Sequence, residues 1–147
     1  MTREEILDFY LRWAWVKLAK LYNSEAERRG ITLSVGYALL SIEKEGTPST
    51  KLGPRMGMES TSLSRTLKGM EEKGLIERRP DPNDGRSVRV FLTELGLDAR
   101  RQARDLVVGI NERLASMLGD QTIKELNTGL RKLNTVLEDP EHLTPIK

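Results

Sequence analysis

Apolar side chains run around nearly the whole circumference of the first segment. Between about Thr2 and Arg29 they are Ile6, Leu7, Phe9, Tyr10, Leu11, Trp13, Val16, Leu18, Leu21 and Tyr22. A helix that is apolar on all sides must be enclosed by other elements or by a partner chain. Gly30 predicts its end. Thr32 is placed to cap a second helix reaching about Glu45, with Gly46 closing it. Thr47 to Gly57, with Thr47, Ser49 and Thr50 at its start, reads as a short third helix. Pro54 interrupts that pattern, because proline removes a backbone donor and crowds the turn before it. From Glu59 to Lys73, the spacing of Leu63, Leu67 and Met70 puts one apolar stripe along a helix. Gly74 stops it, and Leu75 is placed to pack on Met70 as the apolar partner of a Schellman motif.

The period then changes. Leu75 to Arg79 and Ser87 to Leu92 read as two strands, the second alternating Val88, Val90 and Leu92 against Ser87, Arg89 and Phe91. Between them, Pro80 to Arg86 is rich in Pro, Asn, Asp and Gly, the chemistry of turns. A β-hairpin with a charged tip, Asp84-Gly85-Arg86, follows. Thr93 caps a further helix, and two long helices finish the chain. Val107, Ile110, Leu114 and Met117 form the stripe of one. Ile123, Leu126, Leu130, Leu133 and Leu137 form that of the other, at a spacing near the 3.5 of a coiled-coil seam. Gly119-Asp120 marks the break between them.

The fold class is therefore mostly α with a small β-hairpin. The expected organisation is a central domain over 31–96 between terminal helices over 1–30 and 97–139, with a flexible tail over 140–147. Two short, tightly joined helices with a hairpin directly behind them make a winged helix-turn-helix.

Composition narrows the chemistry. The chain has 147 residues, no cysteine and one histidine, His142. Disulfides, thiolate nucleophiles and Cys-ligated metals are excluded. No phosphate-cradling glycine loop, metal-ligand cluster or nucleophile–base pair stands out, so no enzyme and no cofactor are expected. No apolar run approaches the roughly 20 residues of a membrane helix. The amino terminus lacks the pattern of a signal peptide, so a cytoplasmic protein without a membrane partner is expected. The net charge is only +2, but Lys51 to Leu92 holds nine Lys and Arg against six Asp and Glu. That mild basic bias suits nucleic acid and equally an ordinary solvated surface.

The face opposite Leu63, Leu67 and Met70 carries Thr61, Arg65, Lys68 and Glu72, with Ser60, Ser62 and Ser64 near the helix start. Recognition helices read base edges mainly with their amino-terminal residues. Small hydroxyls there allow close approach, and an arginine one turn on can bond guanine O6 and N7 together. Glu59 suits this place only by capping the helix or accepting from cytosine N4. On the hairpin, Arg78, Arg79, Arg86, Ser87 and Arg89 supply donors, and a tip arginine can enter a narrow, electronegative minor groove. Asp84 repels phosphate, so its place is to orient an arginine or shape the turn. The competing reading is a winged helix used only for dimerisation or protein interaction, since fold alone does not set function.

Met58 to Leu67, Met70 to Ile76, Asp81 to Ser87 and Leu92-Thr93-Glu94-Leu95-Gly96 together resemble the MarR family of bacterial transcription regulators. The Asp-x-Arg wing followed by Leu-Thr-x-x-Gly is the specific part. The resemblance implies a homodimer whose terminal helices interlock, binding a pseudo-palindromic site in double-stranded DNA. Each half-site takes one recognition helix and one wing, with Arg86 in the minor groove. It also implies a repressor released by a small aromatic or lipophilic ligand between the terminal helices and the DNA-binding lobe. Arg12, Trp13, Trp15, Tyr22 and Tyr37 are the candidate lining. Gly53-Pro54 and Gly57 depart from the family's usual Ala/Leu-rich third helix. The lack of cysteine closes the thiol peroxide-sensing route found in one branch.

Overall fold

The computed structural model describes Thr2 and residues 6–143. The described residues form two compact units that divide between Val107 and Val108. The first holds helices α1 (Leu7–Glu27), α2 (Leu33–Ser41), α3 (Ser49–Met56) and α4 (Ser60–Glu72). It also holds strands β1 (Thr47–Pro48), β2 (Ile76–Asp81) and β3 (Asp84–Leu92), and most of helix α5 (Glu94–Leu118). The second holds the end of α5, helix α6 (Asp120–Leu137) and a 3-10 turn at Pro140–Leu143. Residues 144–147, part of the expected tail, lie outside the described residues.

The three strands form one antiparallel sheet in the order β1-β3-β2. The core lies between this sheet and α2, α3 and α4, with Leu39, Ile42, Leu52, Met70 and Val90 fully buried. Leu63, Leu67 and Met70 face it, as their spacing predicts. At the end of α4, Leu75 donates its N–H to the Met70 carbonyl and Gly74 to that of Glu71, both at 2.9 Å. This is the Schellman motif, closed by Gly74 at φ 71°.

Four local expectations are corrected. The second helix stops at Ser41, because Ile42 turns extended to bury its side chain; Gly46 instead leads the chain into β1. Thr47 and Pro48 are strand, so the third helix begins at Ser49. Pro54 stays within that helix as the sixth of its eight residues, where it removes one backbone donor in the last turn before Gly57 ends the element. The helix capped by Thr93 and the helix striped by Val107 to Met117 are one continuous helix, α5.

The Leu-Thr-x-x-Gly motif has a plain physical basis. Thr93 Oγ1 accepts the Gly96 N–H at 3.0 Å and donates to the Gly74 carbonyl at 2.6 Å. One hydroxyl thus caps α5 and ties it to the end of α4. Gly96 lies against the chain, where an added Cβ would sit 1.9 Å from the Leu75 carbonyl oxygen.

In the second unit, α6 buries none of its residues, and Leu126, Leu130 and Leu137 of its seam are exposed. Leu7, Tyr10, Trp13 and Val16 of α1 are also exposed. Such apolar surface is what a partner would cover.

Candidate nucleic-acid interface and adjoining cavity

The outward face of α4 is as the helical wheel predicts. Ser60, Thr61, Ser62, Ser64, Arg65 and Lys68 are all exposed. Their side chains make no hydrogen bond or ion pair among the described residues. Glu59 occupies the N-cap in extended conformation, but its carboxylate caps nothing, so the side-chain cap is absent and the first N–H groups of α4 stay open. Free helix-start N–H groups suit an anion such as phosphate.

The hairpin tip is tighter than the sequence suggests. Its turn is Pro82-Asn83, and Asp84-Gly85-Arg86 already belongs to β3, with an irregularity in register between Pro80 and Asp81. Two aspartates shape this end. Asp81 Oδ1 accepts the Asn83 N–H at 2.9 Å, and Asp84 Oδ1 accepts the Arg86 N–H at 3.0 Å. Ser87 Oγ donates to the Asp84 carbonyl at 3.2 Å. Asp84 therefore shapes the backbone and holds no guanidinium. The Arg86 guanidinium is exposed and makes no bond among the described residues.

The other wing arginines are engaged within the protein. Arg78 donates to Glu71 of α4 at 3.0 and 2.5 Å. That hydrogen bond, more than the charge, holds the Glu71 carboxyl below its usual range, and Arg78 is kept the more firmly protonated. Arg79 pairs with Glu77 at 2.6 Å and lies 4.8 Å over the Phe91 ring. Arg89 is largely buried; it donates to the Gly46 carbonyl at 3.0 Å and meets Asp81 at 3.4 Å.

A cavity of about 270 Å³ opens in the first unit among α1, α2 and α5. Trp15, Leu18 and Tyr22 of α1, Tyr37 and Leu40 of α2, and Ala103, Leu106 and Val107 of α5 line it. Trp15 and Tyr37 stack with ring centroids 6.5 Å apart, their planes 14° from parallel. Burial, aided by the nearby Tyr22 phenol, pushes the Tyr37 hydroxyl above the usual tyrosine range. Three of the five residues expected to line such a site, Trp15, Tyr22 and Tyr37, do so. Arg12 and Trp13 do not; Trp13 stands half-exposed on α1. Arg29, which sequence reasoning missed, supplies the lining's cation. Its guanidinium is engaged with the Glu25 carbonyl at 2.8 Å and carboxylate at 3.2 Å.

Among the described residues no cluster of His, Asp and Glu could hold a metal ion, and no helix is long and apolar enough to cross a membrane.

Comparison with known proteins gives one answer. The family model described as MarR family matches residues 38–88, from within α2 to the middle of β3. The chain is 30% identical over 137 residues to the organic hydroperoxide resistance transcriptional regulator of Bacillus subtilis, covering 90% of each protein. It is 28% identical over 128 residues to the transcriptional repressor MprA of Escherichia coli, covering 85% of this chain and 73% of that one. Among solved structures, a point mutant of MarR from E. coli complexed with operator DNA superposes with a TM-score of 0.78. It is 27% identical, with 86% of this chain and 92% of that chain covered. Fold, wing motif and a relative matched over nearly its full length agree: the chain belongs to the MarR family.

Proposed function

We propose that the protein is a dimeric, sequence-specific DNA-binding transcription regulator acting in the cytoplasm. It represses until a small ligand, bound without covalent chemistry, releases it. The observation that carries this reading is the contrast across α4 and the wing. The inward faces are buried, while Ser60 to Lys68 and Arg86 hold polar side chains open to solvent with no partner among the described residues. Donors left open on one helix face and one hairpin end match a major-groove reader beside a minor-groove contact.

The exposed apolar stripes of α1 and α6 support a homodimer built by the terminal helices. A two-fold dimer places its recognition helices on half-sites about one helical turn, roughly 34–36 Å, apart. The MarR mutant solved with operator DNA and the E. coli repressor support the DNA partner and the repressing role by likeness.

The cavity supports the ligand. Its stacked aromatics favour a flat apolar molecule, and its size suits one or two fused rings. Arg29 is held by Glu25, a carboxylate that also pairs with Arg28, so its guanidinium is directed to Glu25 rather than to the ligand and negative charge on the ligand is not required. Such a ligand acts only by binding one spacing of the recognition helices better than another. The nearly full-length relative in B. subtilis carries hydroperoxide resistance in its name. This chain has no cysteine, so a thiol-based response is closed to it.

The test is selection of random duplex DNA on the purified protein, then binding to the enriched site over a salt series. The expected result is a two-fold symmetric motif whose affinity falls steeply with salt. A dimer by mass that enriches no sequence at low salt would favour the protein-interaction reading instead.

A further inference from the structure

Beyond its chain connections to α4 and α5 and the Arg78–Glu71 pair, the wing is joined to the body by very little backbone pairing. Strand β1 has two residues, paired Thr47 with Val90 and Pro48 with Arg89, and proline brings no N–H to the ladder. Side chains converge on this junction from both sides. Gly46, at φ 82°, presses against Phe91 so closely that an added Cβ would lie 2.5 Å from the ring. Its carbonyl accepts from Arg89, 43 residues away, and Arg89 also faces the buried carboxylate of Asp81. The outer side of the Phe91 ring is covered by the Arg79 guanidinium, itself held by Glu77. On the approach to this point, the Glu43 N–H donates to the buried Thr47 hydroxyl at 2.9 Å.

We propose that Gly46, Phe91 and Arg89 form a latch that sets the angle of the wing, and that they are positioning residues for the Arg86 contact with DNA. This rests on the DNA-binding reading above. From Val90 to Arg86 the strand runs four residues, about 13 Å at roughly 3.3 Å each. A 10° tilt at the latch therefore moves the Arg86 backbone by about 2 Å, several times the ~0.5 Å tolerance of a built recognition site. The latch also explains why Arg89, a wing arginine, is largely buried while Arg86 is open. A largely buried guanidinium bridging a carbonyl and a buried carboxylate orders the strand, whereas an unpartnered one at its end is free to meet a groove.

The experiment uses the full-length chain with Arg89→Met, which removes the guanidinium and keeps the stem, and Gly46→Ala, which forces the ring away. Hydrogen exchange in the free protein is read at residues 84–92. Both variants are expected to exchange there at least tenfold faster, with α2 and α4 unchanged. Unchanged exchange at 84–92 in a folded Arg89→Met protein would overturn the latch, whatever the protein binds. On the selected duplex, Arg89→Met is expected to weaken binding about tenfold. In the Arg86→Ala background it should cost nothing further, because its effect passes through Arg86. A second tenfold loss in that background would mean Arg89 touches DNA itself and would overturn the positioning role. If the unaltered protein selects no duplex, the DNA-binding reading fails, and exchange still decides the latch.

Discussion

Arg78, in the first strand of the wing, donates from both Nε and Nη2 to one carboxylate oxygen of Glu71, in the last turn of α4. The pair links the proposed recognition helix directly to the wing beside it. Its partners are seven residues apart and both partly exposed, so it contributes more to geometry than to stability.

The pair predicts a pH dependence with a definite sign. Glu71 titrates lower in the folded protein than in the unfolded chain, chiefly because of the Arg78 hydrogen bond. Its contribution is then complete above the ordinary carboxylate range and is lost as pH falls through the lowered folded value. The urea midpoint of the protein is expected to exceed that of Glu71→Gln slightly at pH 7, with the gap closing on acidification below the ordinary carboxylate range. A gap that widened on acidification would reverse the assignment.

At the junction of α4 and α5, Thr93→Ala removes both a helix cap and the tie to Gly74. The expected loss is about 1–2 kcal/mol by urea unfolding, mostly restored in Thr93→Ser. Gly96→Ala drives a methyl into the Leu75 carbonyl and is expected to cost about 3 kcal/mol. Equal stability in Gly96→Ala would show that the α5 start can shift freely.

For DNA, Arg65→Ala is expected to cost on the order of 1–3 kcal/mol and to relax preference at one base pair. Uniform loss on every sequence would make Arg65 a phosphate contact. Arg86→Ala should weaken binding most where the flanks are A/T-rich, since narrow minor grooves attract arginine. Binding titrations on two duplexes that differ only in the flanks decide it.

The cavity predicts indifference to charge. Benzoate and benzyl alcohol, followed by Trp15 fluorescence with Trp13→Phe as background, are expected to bind with affinities within a few-fold. Trp15 and Tyr37 provide the stacking surface, so Tyr37→Ala should weaken both alike. A tenfold preference for benzoate that disappears in Arg29→Ala would instead mean that Arg29 leaves Glu25 to meet the anion.

Much of the fold was legible because its signals are local. The Leu63, Leu67 and Met70 stripe, the stop at Gly74 and the cap at Thr93 each depend on residues within a turn or two. The outward face of α4 followed from the wheel alone, since exposure is what remains when the other face is buried. Errors arose where tertiary demands overrode local ones. Ile42 left α2 to enter the core, and Thr47 and Pro48 were drawn into the sheet by β3. The tip moved to Pro82-Asn83 because the two aspartates hold the backbone on either side of it.

Residue types and periods along the chain thus determined the order of elements, the face α4 turns outward and the chemistry excluded by a chain without cysteine. Which arginine is free and which is engaged could be decided only by the tertiary structure. Arg78, Arg79, Arg86 and Arg89 look alike in sequence, yet Glu71, Phe91 and the Gly46 carbonyl engage three of them and leave Arg86 open. The cavity is similar: Arg29 joins Trp15, Tyr37 and Val107 only after three helices converge. Helical period reports a residue's neighbours one turn away, and nothing in it reports a partner 43 residues distant.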